Sequence, residues 1–340
     1  MKRWLGRLLL LTFLGGLLYW AVRNAPLTDI LSSLRQLTFA QLAWLLALNI
    51  VTFGLITARW WLILRAERLR VPFLPLVGYR LAAFGLSYFT PGPQVGGEPL
   101  QIIYLQRNYG LTFPRATSAV IMDKLLEFLA NFLFLAVGFF AVVQSGMLTQ
   151  YAPPAWLALP LGLLLLWPLA HILLMYFGKH PLSALLLPFL RLRHPASKRM
   201  EEKVSKKPRT LWMNFLNFLR LVSLSEHLAG LFCRRHLGYL LLALFVSLLV
   251  WVGMVYEYVY MLACLRAELD FSQALASLTV VRLSFLMPLP AGLGTLEASQ
   301  VLAVSAFGLP AALGISLSLL MRARDLLLGG LGLLIAAVNK

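Results

Sequence analysis

Acidic residues are scarce in this chain: 13 stand against 30 lysines and arginines across 340 positions. All charged residues together make up only 13% of it, while 60% is apolar. A soluble protein of this length needs far more polar surface, so a soluble globular enzyme is excluded and an all-α polytopic membrane protein is indicated. Only two cysteines occur, Cys233 and Cys264, on either side of a predicted span, so no disulfide framework is expected. The five histidines are scattered without metal-ligand spacing. Neither HExxH, nor G-x-x-x-x-G-K-[ST], nor G-x-S-x-G is present. The sequence therefore calls for no cofactor, no metal and no ATP hydrolysis.

The excess of positive charge has an address. Twelve cations, from Lys179 through Arg191, Lys198, Lys207 and Arg220 to Arg235, fall in one segment, 178–238. Nucleic acid would be the reflex partner of so basic a chain, but this clustering is the positive-inside signature of a cytoplasmic loop. Within that loop, residues 210–232 carry apolar side chains opposite Asn214, Asn217 and Arg220, the pattern of a helix lying in the membrane interface.

Apolar runs of bilayer length fall at 4–22, 41–64, 114–143, 155–177, 239–264 and 310–338. These predict about six full spans. Between the second and third lies "TPGPQVGGEPLQIIYLQ", and between the fifth and sixth "PLPAGLGTLEASQVL", each breaking an apolar region with proline, glycine and one glutamate. The limb after each break is about eleven or twelve residues, half a bilayer. Treating both as re-entrant hairpins, 72–108 and 271–308, keeps the twelve-cation loop and both termini cytoplasmic. The halves 1–143 and 144–340 then read as an inverted-topology repeat within a single transmembrane domain, 1–340.

Broken backbone inside a membrane leaves N–H and C=O groups unpaired, so it is expected only where it is buried or lines a wet cavity. Gly96 and Gly97, and Gly292 and Gly294, allow the turns, while Pro91 and Pro290 stop the incoming limbs. Each returning helix then aims its N-terminus at the membrane centre, a setting suited to phosphate. Glu98 and Glu297 occupy those first turns, where each complements its own helix end or serves a cationic partner. Arg80, Asp123, Lys124, Glu127, Arg282, Arg322, Arg324 and Asp325 are further intramembrane charges, expected to pair or to face a hydrated cavity. The spacing lets Arg322 bridge Asp325 and leaves Arg324 elsewhere. Arg59 and Glu257, flanked by "ARWW" and "YEYVY", read as anchors in the aromatic belts.

The two interrupted regions with the charges that follow them resemble the signature regions of the lysylphosphatidylglycerol synthase transmembrane, or flippase-like, family. The resemblance covers essentially the whole chain and picks out Pro91, Gly96, Gly97, Glu98 and Asp123, then Pro290, Gly292, Gly294, Glu297 and Arg322. Gln94, Val95 and Gln101 depart from the pattern, and the soluble aminoacyl-transferring domain of the bifunctional relatives has no counterpart here. What the resemblance implies is a lipid translocase of a prokaryotic cytoplasmic membrane, acting on a phospholipid or polyprenyl-phosphate lipid. The alternatives are a membrane-embedded transferase with Asp123 or Glu98 as base, and a non-catalytic partner of a lipid-modifying enzyme docking through 178–238.

Overall fold

The computed structural model describes residues 35–89, 96–147, 158–181, 211–286 and 294–338, with single positions 32, 184 and 292. Ten helices and no strands occur among them. They are α1 (Phe39–Ala66), α2 (Phe73–Phe89), α3 (Glu98–Tyr109), α4 (Phe113–Gln144) and α5 (Ala158–Tyr176), then α6 (Leu211–Arg235), α7 (Leu237–Cys264), α8 (Phe271–Ser284), α9 (Thr295–Ser305) and α10 (Ala311–Val338). The expected span at 4–22 lies outside the described residues.

Local chemistry sets the boundaries. Thr38 and Asp270 cap α1 and α8 with capping boxes closed by Gln41 and Gln273. Pro99 sits in the first turn of α3, where its missing N–H costs nothing, and Gly110 ends that helix at φ 62°. The breaks expected near residues 90 and 290 are present as the ends of α2 and α8. Their prolines, Pro91 and Pro290, lie outside the described residues.

Among the described residues, three helices, α1, α4 and α7, are long and apolar enough to cross a membrane. They present Ile50, Leu133, Val137, Phe140, Phe245 and Val252 outward, an apolar surface that lipid rather than water would cover. α10 has the length as well, but Arg322, Arg324 and Asp325 stand in its middle.

Packing follows an exchange. α1 lies along α7; α2 packs on α10 as α8 packs on α4; α3 packs on α4 as α9 packs on α10. One constant displacement separates Phe39 from Leu237, Phe73 from Phe271 and Phe113 from Ala311, the first residues of three helix pairs. Small residues make the close approaches. A Cβ at Gly332 would overlap the Leu81 carbonyl, one at Gly85 would come 2.5 Å from the Gly329 carbonyl, and one at Gly138 would strike Thr279.

Two apolar cores result. Trp60, Leu76, Leu105, Met122, Met175 and Phe232 build one; Phe134, Tyr258, Leu278, Leu296, Leu317 and Met321 build the other. α1, α4 and α7 each run from one core to the other, and Asn49, Arg59, Lys124, Glu127, Ser247 and Glu257 occupy the layer between.

α6 departs from the expectation of a helix lying flat on a membrane surface. Its C-terminal half buries Ser225, Glu226, Ala229, Phe232 and Cys233 against α4 and α5. His171 of α5 is buried with Nε2 3.5 Å from Glu226 Oε1.

Candidate functional site

The layer between the cores encloses a cavity of about 230 Å³. α1 and α7 line it in pairs at the displacement that relates their first residues: Asn49 with Ser247, Phe53 with Trp251, Ile56 with Met254, Arg59 with Glu257. Each series steps by three or four, so one face of each helix turns inward while its outer face stays apolar.

One charged cluster gathers four helices. Asp123 of α4, fully buried, accepts from Arg59 Nε of α1 at 2.7 Å and Arg80 Nη1 of α2 at 2.6 Å. Glu127, one turn along α4, takes Arg59 Nη2 at 3.2 Å and Arg80 Nη2 at 3.3 Å on one oxygen, and Lys124 Nζ at 2.9 Å on the other. Lys124 also reaches Glu98 Oε1 of α3 at 3.1 Å. Three cations meet three carboxylates, so the cluster closes neutral, which is what lets charges persist in so dry a place.

A second cluster lines the same cavity. Glu257 Oε1 of α7 accepts from Arg324 Nη1 at 2.8 Å and Asn49 Nδ2 at 3.0 Å, and Asp325 Oδ1 accepts from Arg324 Nε at 2.8 Å. Arg282 of α8 lies over the Trp251 ring at 4.9 Å and meets the Met254 sulfur at 3.0 Å.

Both helix breaks carry the same device. Glu98 Oε2 accepts from Gly96 N at 2.7 Å, and Glu297 Oε2 from Gly294 N at 2.9 Å, so each carboxylate caps its own helix. Each also holds a cation from the following long helix: Lys124 for Glu98, and Arg322 for Glu297, with Arg322 Nη2 on Glu297 Oε2 at 2.9 Å and on the Gly292 carbonyl at 3.3 Å. The two readings offered for these glutamates are thus both realised. Gly292 and Gly294, at φ 58° and 79°, occupy the left-handed region that a side chain would strain. At Gly97 the demand is space, because a Cβ there would overlap the Ala83 carbonyl.

Gly97, Glu98, Arg80, Glu127, Arg282, Arg324 and Asp325 line the cavity, with Asp123 directly behind them and Gly96 beside Glu98. Gly292, Gly294, Glu297 and Arg322 gather at the second break, outside the cavity wall. Two expectations are corrected. Arg59 and Glu257 do not anchor the chain in aromatic belts; both are 2% exposed and line the cavity. Arg322 bridges Glu297 rather than Asp325, whose partner is Arg324, because the α9 first turn faces Arg322. Asn49 and Ser247 escaped the sequence reading, although lone polar residues inside apolar runs were the available signal.

A model of the lysylphosphatidylglycerol synthase TM region matches residues 4–332. The UPF0104 membrane protein PH1989 of Pyrococcus horikoshii is similar at 24% identity over 344 residues, covering 95% of this chain and 92% of that relative. No solved structure matches. Apolar helices of spanning length, two apolar cores around a charged layer and a match over nearly every residue converge: this membrane protein belongs to the lysylphosphatidylglycerol synthase transmembrane-region family.

Proposed function

We propose that the protein moves a phosphate-bearing lipid between leaflets of a prokaryotic cytoplasmic membrane, its headgroup passing through the central cavity. The observation that carries this reading is a cavity of about 230 Å³, comparable to a headgroup, into which charged side chains project among apolar ones, set between two apolar cores and flanked by two broken helices. At about 1.5 Å per residue, α3 and α9 reach roughly 18 and 16 Å, too short to cross, which supports re-entrant hairpins. The constant displacement and the exchanged packing support an inverted repeat whose hairpins enter from opposite faces.

The two breaks differ in exposure. Glu98 and Lys124 line the cavity at 17% and 19% side-chain exposure, while Glu297 and Arg322 are sealed at 11% and 8%. This is one of two states in the proposed cycle, with the roles of the breaks exchanged in the other. A transferase reading fares worse, since Asp123 and Glu98, the candidate bases, are both held by cations. Docking of a lipid-modifying enzyme through 178–238 is tested by co-purification after deletion of that loop.

The decisive assay reconstitutes the full chain in vesicles with headgroup-labelled lipids and a leaflet-specific quencher. Wild type is expected to exceed empty vesicles, and a Glu98→Gln, Glu297→Gln double variant to fall to their level. Equal rates for wild type, variant and empty vesicles across all headgroups refute the reading.

A further inference from the structure

Oxygen by oxygen, most carboxylates at the cavity and at the second break are already occupied. Asp123 spends Oδ1 on Arg59 and Oδ2 on Arg80; Glu127 spends Oε1 on Lys124 and Oε2 on Arg59 and Arg80. Glu98 gives one oxygen to Lys124 and the other to Gly96 N, and Glu297 gives both to Arg322 with Gly294 N sharing one. Every oxygen of these groups therefore already accepts at least one donor.

Glu257 and Asp325 differ. Each leans on Arg324 through a single oxygen, and among the described residues Glu257 Oε2 and Asp325 Oδ2 accept no hydrogen bond. Arg282, on the adjoining helix, completes the contrast. Among the described residues no carboxylate lies within 4.0 Å of its guanidinium nitrogens, and its buried Nε has no acceptor. Its neighbours are a thioether and an indole face, which leave a guanidinium hungry for an anion. All three residues line the same cavity. One unpaired cation beside two unused carboxylate oxygens is a site for a group that carries both signs.

We propose that the cavity takes a zwitterionic phospholipid headgroup, with its phosphodiester on Arg282 and a primary ammonium donating to Glu257 Oε2 and Asp325 Oδ2. The assignment rests on the translocation reading for its lipid and goes beyond it in naming the headgroup. Charge balance favours it. Arg59, Arg80, Lys124, Arg282 and Arg324 are matched by Glu98, Asp123, Glu127, Glu257 and Asp325. A headgroup of zero net charge preserves that balance, whereas a polyprenyl phosphate or diphosphate brings uncompensated negative charge into a low-dielectric layer. Arg80, Arg282, Arg322 and Arg324 are all candidates for the phosphate, with the glycine-rich helix ends, and Glu98 and Glu297 for the amine. The geometry keeps Arg282 and passes over the other five residues because each is already paired.

Native mass spectrometry of the purified full chain tests this with three soluble probes: dihexanoyl phosphatidylethanolamine, dihexanoyl phosphatidylglycerol and farnesyl phosphate. The ethanolamine lipid is expected to bind about tenfold tighter than the other two, as one charge-assisted contact commands. Arg282→Gln lowers affinity for both phospholipids about tenfold, and Arg282→Lys restores much of it. Glu257→Gln erases the preference for ethanolamine over glycerol while leaving the glycerol lipid unchanged. Equal or tighter binding of phosphatidylglycerol or farnesyl phosphate by wild type, or undiminished ethanolamine-lipid binding by Arg282→Gln, overturns the assignment. Vesicles separate the two claims. Movement of labelled phosphatidylglycerol without phosphatidylethanolamine keeps translocation and removes this headgroup; selective ethanolamine binding with no lipid moved keeps the site and removes translocation.

Discussion

Replacing Asp123 with asparagine should destabilise the protein by about 3–5 kcal/mol, the cost of removing one partner from a buried ion pair. The carboxylate has 0% side-chain exposure and bonds Arg59 at 2.7 Å and Arg80 at 2.6 Å, themselves 3% and 8% exposed. Asparagine keeps one acceptor and turns an NH₂ toward the other guanidinium, leaving two buried cations to share Glu127, which Lys124 already holds. Two charge-assisted bonds at about 1.5–3 kcal/mol each set the scale, and partial survival of one keeps the loss below their sum. Denaturant titration of the purified protein in mixed micelles, followed by tryptophan fluorescence, measures it. A cycle with Arg59→Met adds a sharper condition: the double variant should lose less than the sum of the singles by at least about 1 kcal/mol. A single-variant loss under about 1 kcal/mol, with an unchanged elution profile, refutes the view that this cluster holds four helices together.

Gly332→Ala forces α10 off the Leu81 carbonyl and should cost about 1–3 kcal/mol by overpacking, read as a lower unfolding midpoint, whereas Gly330→Ala, with open space at its Cβ, should not. Asp270, between α7 and α8, is held below the usual carboxylate range by the Gln273 N–H and the Ser272 hydroxyl. Because its folded value is depressed, its contribution is complete above the ordinary carboxylate range and is lost as pH falls through that lower value, so Asp270→Asn should shrink the acid-induced drop in melting temperature. Cys233 and Cys264 are free and buried, so a maleimide should label neither in the native protein and both after denaturation.

The helices were legible because apolar runs, prolines and glycines act locally. The run at 41–64 became Phe39–Ala66, the one at 239–264 became Leu237–Cys264, and both interrupted segments became pairs of short helices. Partners were not legible, since spacing says which residues share a face but not which helix that face meets. Arg322 and Asp325 are well placed to bridge on one helix, yet α9 delivers Glu297 to Arg322 first. Arg59 stands beside two tryptophans near the end of an apolar run, the usual appearance of an interfacial arginine. Only packing reveals that a carboxylate from a distant helix waits beside it. The pattern of α6 reads as a helix lying in the membrane interface, but its C-terminal half is covered by α4 and α5.

The exchanged packing of α2 and α10 has a consequence for biogenesis. Gly85 meets the Gly329 backbone, so the flank of α2 that carries it stays without its permanent neighbour until nearly the whole polypeptide has left the ribosome. Docking of α2 is therefore among the latest events, and ribosome-stalled chains lacking α10 should be the preferred prey of membrane quality-control proteases.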